Sequence, residues 1–525
     1  MANALDKTKT AALAIGVGAS TSACAALLGL AVLAQRSSTS LAIAIGYVTT
    51  FPIATWPASL QLWALIIPIL AGASAAAVLW LNLANLRWTF RARRIDGPEA
   101  ATALIARAAK AGTRIFAGRF EGKPMHVSVE DRGLVIGPPG TGKTAFLLNQ
   151  ILRATKLGLS FVMVDFKPEI HKILAASLDK AGYRVLRINP AAIDETMDHW
   201  NPLADIDDET QRTELCAALL PIRDPREAPF IEAQRDWLKA AVFHVTAIPG
   251  GSIPAAFNLL SAHADPLKLL DIIGRSPSPT AARLARRIAA GLAGGKPDPL
   301  ILQGLTGALR SLDYLGLPGV QKALGHSDFS ARELGKVERP TALFLQFEEA
   351  KINALGPLLA FMATSVLIAL IDTAGQRAPV ALFLDELGNM PPIPNLPQKL
   401  NTIRSRYIPT WMYFQTAEQM DMGYGRGAIS TFFASSDFQM VFRLNDQSTR
   451  ELVSKLIGTT HKNRFSHNKG GQQRSTTQSR ELANVVEPHE LGQLLPGEVV
   501  VLYRGAAAKG KATPHFVDYP EFKRK

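Results

Sequence analysis

Residues 133–152 read GLVIGPPGTGKTAFLLNQIL. A short apolar run, Leu134–Ile136, leads in, and Phe146, Leu147 and Ile151 recur at helical spacing on the way out. Between them Gly137, Pro138, Pro139, Gly140, Thr141, Gly142, Lys143 and Thr144 satisfy GxxxxGK[ST], the phosphate-binding (Walker A) pattern. Each residue type has a task there. Glycines let the backbone wrap around phosphate oxygens, and the loop amides and helix N-terminus then point at negative charge. Lys143 is expected to reach the β- and γ-phosphates, and the Thr144 hydroxyl to ligate Mg²⁺. Strand, loop and helix in that order set the pattern apart from a chance glycine turn. The expected ligands are ATP and Mg²⁺.

A second stretch, Pro379-VALFLDELGNM-Pro391, carries the partner motif. Val380–Leu384 reads as a buried parallel strand that ends in Asp385 and Glu386. Carboxylates at the C-terminal end of such a strand sit where ligands bind in open α/β sheets. An apolar run before Asp-Glu is weak alone. Paired with the phosphate loop, it gives Asp385 the Mg²⁺, directly or through water, and gives Glu386 the attacking water. Gln415 closes the following strand, where an amide can sense the γ-phosphate. Arg404 and Arg406 lie between those strands, where an arginine can reach a neighbouring subunit's phosphate. An ordinary strand-end amide and a solvated arginine are the plainer readings of Gln415 and Arg404.

Further strands are expected at Ser160–Asp165, Arg184–Ile188, Thr341–Phe347, Thr410–Gln415, Phe438–Arg443 and Val499–Tyr503. They alternate with helical patterns, so the fold class is α/β: a parallel sheet covered on both faces, a RecA-like P-loop NTPase. From about Ala204 to Leu324 the pattern is helical, at Thr210–Leu220, Ile231–Val245, Pro266–Ile273, Ala281–Leu292 and Leu300–Leu312. This predicts an inserted all-α domain at 204–324 between nucleotide-binding parts at 87–203 and 325–525.

The first 86 residues differ. Ala11–Ala34 and Ser37–Leu86 carry no charge, and two transmembrane helices are expected at about 11–34 and 62–84. Lys7 and Lys9 precede the first; Arg87, Arg91, Arg93 and Arg94 follow the second. Both termini are therefore expected in the cytoplasm, with the protein multi-pass in a bacterial inner membrane. The composition agrees: 47% of the 525 residues are hydrophobic and 19% charged, against about 25% charged in ordinary soluble domains. Such apolar content excludes a wholly disordered chain. The two cysteines stand far apart, and no CxxC, Cys/His cluster or haem motif occurs, so the sequence points to no zinc or iron–sulfur site.

A net charge of +13 suits a nucleic acid or anionic lipid partner. Residues 87–119 hold eight basic and two acidic residues just below the second span, where lipid headgroups explain much of the bias. Residues 440–480 hold eight basic residues and two acidic ones. Their middle, KNRFSHNKGGQQRSTTQSR, reads as a flexible loop able to track phosphates without reading sequence. A merely solvated loop is the alternative.

Taken in order, these motifs resemble the type IV secretion system coupling proteins, the TraG/TraD-like conjugative DNA transfer ATPases. The resemblance rests on GPPGTGKT from Gly137, a D-x-K-x-E at Asp165, Lys167 and Glu169, Asn-Pro-Leu at 201–203, and FLDELGNM. It continues through YFQTAEQMDMGYG, with Gln415, Gln419, Tyr424 and Gly425, then FFASSDFQMVFRLNDQSTRELVSKLIG and RELANVVEPHELGQLLPGEVVVLYRG. It spans about Leu134 to Tyr519. It implies a homo-hexameric inner-membrane ATPase that recruits a relaxase–DNA complex or protein effectors and feeds them to a secretion channel. The sensing role of Gln415 and the trans-acting role of Arg404 follow from the same resemblance. Two alternatives stand beside it. One is an FtsK-like DNA translocase, which the short tail YPEFKRK disfavours. The other is a cargo receptor in which ATP binding is mainly a switch.

Overall fold

The computed structural model describes residue 95 and residues 98–522, apart from 109–113, 166–168, 193–196, 223, 264, 294–297, 337, 348 and 469–474. The side chains of 107, 114, 349 and 462–480 are likewise outside the description. The spans expected at 11–34 and 62–84, and Lys167, lie outside the described residues.

The chain divides into two compact units. The larger, Arg94–Thr460 with Ala483–Lys525, is built on an eleven-stranded sheet. Its strands are β1 (Arg114–Phe120), β2 (Lys123–Ser128), β3 (Gly133–Ile136), β4 (Ser160–Asp165) and β5 (Arg184–Ile188). They continue with β6 (Thr341–Gln346), β7 (Val380–Leu384), β8 (Thr410–Phe414) and β9 (Phe438–Val441). After β10 (Thr459–Asn468) and β11 (Ser475–Asn484), β12 (Glu498–Tyr503) and β13 (Ala506–Lys511) rejoin the sheet. The order is β2-β1-β13-β12-β9-β3-β8-β7-β4-β6-β5. Strands from β9 to β5 run parallel.

Two expectations are corrected here. Val499–Tyr503 pairs antiparallel with β9, and β13, β1 and β2 extend that antiparallel edge. Continuous apolarity signals burial on both faces, not strand direction, so β12 looked like the parallel strands. The stretch read as a flexible loop forms β10 and β11, a two-stranded sheet. Thr459, Thr460, Thr476 and Thr477 are strand formers whose signal the glycines and glutamines between them obscured.

The inner parallel strands are buried on both faces, whereas edge strand β5 is partly exposed at Arg184, Val185 and Arg187, and alternate residues feed two cores. Leu134, Ile136, Val162, Val164, Leu382 and Leu384 enter one core; Val135, Phe161, Met163, Ala381 and Phe383 enter the other. Helix α1 (Pro98–Ala108), helix α2 (Lys143–Lys156) and helix α3 (Glu169–Lys180) pack in the second core. Between β5 and β6 the described residues form helices and no strand: α4 (Glu209–Leu219), α5 (Ala228–Val245), α6 (Ile253–Ser261), α7 (Pro266–Gly274), α8 (Pro279–Leu292), α9 (Pro299–Ser311) and α10 (Pro318–Gly325). Many start on one device. Asp265, Ser278 and Asp298 each accept a hydrogen bond from a first-turn amide and are followed by proline at the first helical position. These helices join the first core with α11 (Ile352–Asp372). That helix is long and apolar enough to cross a membrane, yet 83% of its apolar window is buried inside the protein.

Candidate functional site

Three adjacent strands, β3, β8 and β7, bring the expected site residues to one edge of the sheet. Ile136 is in register with Phe414, and Leu384 with Met412, so the segments after all three emerge together. The Gly137 amide donates to the Phe414 carbonyl (3.1 Å), which fixes the start of the loop to β8. A Cβ at Gly137 would lie 2.7 Å from the Phe442 Cβ, so a side chain is excluded there. Gly142 takes the left-handed conformation at φ +103° and begins α2 with no side-chain cap, which leaves the helix N-terminus to an anion. Buried Lys143 donates through Nζ to the Gly137 carbonyl and, at 3.1 Å, to the Pro138 carbonyl. Thr141 Oγ1 also donates to the Pro138 carbonyl (2.8 Å), and Thr144 is exposed at the mouth of the loop. Pro139 and Gly140 form the loop's exposed outer turn.

Asp385 directly follows β7, buried, and its Oδ1 accepts from the Glu386 amide (3.1 Å). Glu386 itself is left-handed, at φ +49° and ψ +40°, a conformation that costs a non-glycine residue on the order of 1–2 kcal/mol. Its Oε2 accepts from Asn389 Nδ2 (2.9 Å). Asn389 Oδ1 accepts from Gln419 Nε2 (3.2 Å), and Gln419 Oε1 accepts the amides of Gln415 (2.9 Å) and Thr416 (3.4 Å). A chain of side chains therefore ties the Glu386 carboxylate to the end of β8. Gly388 leaves the room for it: a Cβ there would sit 2.3 Å from Gln419 Oε1. Sequence reading had found Gln415 and Gln419 but not their tie through Asn389.

The floor of the site is polar and buried. Tyr413 on β8 donates to Gln150 Oε1 in α2, and Gln150 Nε2 donates to the Phe116 carbonyl (2.7 Å). Burial drives the Tyr413 phenol far above its ordinary range, and the Asp385 charge adds to that. Asp165, at the end of neighbouring β4, is fully buried and accepts from Gln346 Nε2 (3.4 Å), while Glu169 is exposed at the start of α3.

Arg404 is not part of this cluster. It ends α12 (Leu396–Ser405), half exposed, with NH1 3.9 Å from Asp437 Oδ1. Asp437 precedes β9 and also takes Arg132 (3.0 Å), which precedes β3. Arg404 thus lies at the strand-start edge, opposite its own chain's phosphate loop.

Two features went unread in the sequence. A cleft of about 990 Å³ flanks Gly140–Gly142, with Arg119, Lys509 and Lys511 among its lining. Behind it, Asp518 holds α2: it accepts from Asn149 (2.8 Å), Arg153 (2.5 Å) and Arg119 (2.7 Å). Burial pushes the Asp518 carboxyl up, but these hydrogen bonds outweigh it and hold it at about 2.

Among solved structures, the conjugative coupling protein TrwBΔN70 in its unbound form matches with a TM-score of 0.64 and 21% identity, over 81% of this chain and 92% of that one. TrwB with the ATP analogue ADPNP, and with ADP and Mg²⁺, match equally well at 19% and 20% identity, each over 81% of this chain and 94% of theirs. These likenesses show the fold. In sequence, the probable conjugal transfer protein TraG of Sinorhizobium fredii (strain NBRC 101917 / NGR234) is 27% identical over 209 residues, 38% of this chain and 32% of that protein. TraG of Rhizobium radiobacter is 26% identical over 207 residues, with the same shares. The chain therefore matches about a third of the length of these curated relatives. The family model for type IV secretory system conjugative DNA transfer matches residues 83–523, most of the chain, and the chain belongs to that family.

Proposed function

We propose that this chain is a membrane-anchored, Mg²⁺-dependent ATPase that recruits a relaxase–DNA complex, protein effectors or both and delivers them to a type IV secretion channel. The carrying observation is the convergence of the phosphate loop, Asp385–Glu386 and Gln415 at the ends of three neighbouring strands. The ADPNP and ADP–Mg²⁺ complexes of TrwB support ATP and Mg²⁺ as ligands.

In this reading phosphate oxygens replace the Gly137 and Pro138 carbonyls as partners of Lys143, and the uncapped amides of α2 turn to the same anion. Thr144 and Asp385 hold Mg²⁺; Glu386, steadied by Asn389, orients the attacking water. Gln415 senses the γ-phosphate. The basic cleft beside Gly140–Gly142 accommodates the nucleoside. Because Arg404 lies at the opposite sheet edge, its part in hydrolysis requires a neighbouring subunit's site, which fits a homo-hexamer. Residues 87–203 and 325–525 make the nucleotide-binding domain, 204–324 the helical domain, and 11–34 and 62–84 the spans, with both termini cytoplasmic.

The test is ATP hydrolysis by the full-length protein in detergent, with and without single-stranded DNA. Turnover is expected to need Mg²⁺, to rise with DNA, and to disappear in Lys143→Ala and Glu386→Gln. Normal hydrolysis by Lys143→Ala would sink the site assignment. Hydrolysis indifferent to DNA would sink the DNA part alone.

A further inference from the structure

The chain leaves β5 for the helical segment and returns to β6 through two crossings that touch. On the way out, the Trp200 amide donates to the Ala323 carbonyl (2.8 Å) and the Asn201 amide to Ser327 Oγ (2.9 Å). On the way back, the Asp328 amide donates to the His199 carbonyl (2.9 Å). Trp200 and Phe329 stack beneath, both buried, with ring centroids 5.8 Å apart. This neck is a fixed frame, not a loose linker.

Three metal-ligating side chains stand on that frame. The His199 and His326 rings stack at 4.2 Å, inclined by 27°. Asp328 lies between their donor atoms: its Oδ2 is 2.7 Å from His199 Nδ1, and its Oδ1 is 3.9 Å from His326 Nε2. One ligand atom from each residue falls within 4.8 Å of the others. The Asp328 carboxylate is already aimed, because Oδ2 also accepts the His199 amide (2.8 Å). A backbone amide that orients a ligating carboxylate is the support metal sites use.

We propose that His199, His326 and Asp328 form a binding site for a borderline divalent transition-metal ion, zinc first, that clasps the two crossings of the helical segment. The donor set chooses the metal. Two imidazoles and one carboxylate suit Zn²⁺, Co²⁺ or Ni²⁺; Mg²⁺ and Ca²⁺ want oxygen throughout. At metal–ligand distances of about 2.0–2.1 Å, tetrahedral donors lie about 3.3 Å apart. His199 Nδ1 and Asp328 Oδ2 need to separate by little more than half an ångström from their present 2.7 Å. The 3.9 Å to His326 Nε2 is from the other oxygen, Oδ1, so a single ligating oxygen also requires the carboxylate to turn or the exposed His326 ring to move toward it. His326 and Asp328 are exposed, which gives an ion a way in and leaves the fourth position to water. The ion would replace the His199–Asp328 hydrogen bond with bonds to both crossings at once. It would thereby hold the helical segment to the sheet.

The experiment is calorimetric titration of the full-length protein in detergent with ZnCl₂, repeated with CoCl₂ under optical detection. Wild type is expected to bind one equivalent more than His326→Ala or Asp328→Asn, with a tetrahedral Co²⁺ absorption band that both variants lose. Proteolysis at residues 198–201 and 323–329 is expected to slow with zinc in wild type only. His326 is 61% exposed, so its removal leaves the fold intact, and circular dichroism checks this. Equal stoichiometry and affinity in wild type and His326→Ala would overturn the proposal, since any binding then belongs to other histidines. Absence of binding in wild type would overturn it equally.

Discussion

Gly388→Ala isolates the link between Glu386 and the end of β8 without replacing any residue that makes it. The new methyl would lie 2.3 Å from Gln419 Oε1, 2.5 Å from its Cδ and 2.9 Å from its Cβ. A shift of the amide tip alone cannot relieve three such contacts, so the Gln419 side chain must swing away and the backbone must give slightly at the Cβ contact. It then gives up its bonds from the Gln415 and Thr416 amides and its donation to Asn389. The Gln415 bond (2.9 Å) and the Asn389 bond (3.2 Å) have good geometry; the Thr416 contact, at 3.4 Å, counts for little. At about 1 kcal/mol net for each good bond, the loss is about 2 kcal/mol. Felt in the transition state through Asn389 and Glu386, that is roughly a 30-fold fall in kcat. Nucleotide binding should change little, since the loop at 137–144 is untouched. The assay pairs steady-state ATP hydrolysis with equilibrium binding of a fluorescent ATP analogue. Gln419→Ala removes the Oε1 and Cδ contacts and leaves only the 2.9 Å contact to Cβ, so Gly388→Ala added to Gln419→Ala should cost much less than Gly388→Ala alone. Full turnover in a folded Gly388→Ala protein, or independent losses in the double variant, would refute the linkage.

Other outcomes follow from the same geometry. Lys143→Ala should weaken ATP binding and cut hydrolysis by about 10²–10³-fold or more, read by the same two assays. Arg404→Ala and Lys143→Ala chains, each inactive alone, should regain turnover when mixed, because one supplies the intact loop and the other the arginine; no recovery would remove Arg404 from catalysis. Asp518→Asn should destabilise the protein at pH 7 by about 1–3 kcal/mol, measured as a shift in the urea midpoint of tryptophan fluorescence. The folded carboxyl sits at about 2, below the unfolded value of about 3.9, so its contribution is present above that value and fades as pH falls toward 2. The difference between wild type and Asp518→Asn should close over that interval.

What the sequence made legible was what burial writes into composition. β4, β5 and β7 match their apolar runs residue for residue, and β3, β6, β8, β9 and β12 differ by at most a few terminal residues. Apart from edge strand β5, RVLRI, such strands are covered on both faces and can carry little else. β1, β2 and β13 escaped because RIFAGRF, KPMHVS and AAAKGK mix glycine, alanine and lysine on an antiparallel edge. In the helical segment α6 and α10 were not among the expected helices. Of the helices that were read, the one at Pro266 begins where expected and the other four begin one to three residues earlier, where caps and prolines outweigh the apolar period. At the site, the loop and Asp385–Glu386 were legible because their chemistry is local in sequence. The tie from Glu386 through Asn389 to Gln419 was not, since the last two are thirty positions apart and only the sheet makes them neighbours. His199 and Asp328 are farther apart still, so their hydrogen bond was not legible either.

The placement of β3 bears on how the protein is made. Its partners are β8, in register at Gly133–Trp411, and β9, at Gly133–Phe438. A ribosome has therefore delivered the whole phosphate loop, and then the helical segment, before either neighbour of that strand exists. During synthesis Leu134, Val135 and Ile136 are an apolar strand with two open sides, the kind of segment that invites pairing with the wrong chain. The long-range closure of β3 makes this a slow step by topology, whereas the helices between β5 and β6 can form locally as they emerge. Nascent chains that stop short of Phe438 should therefore depend on chaperones and bind no nucleotide, although every residue of the loop is already present.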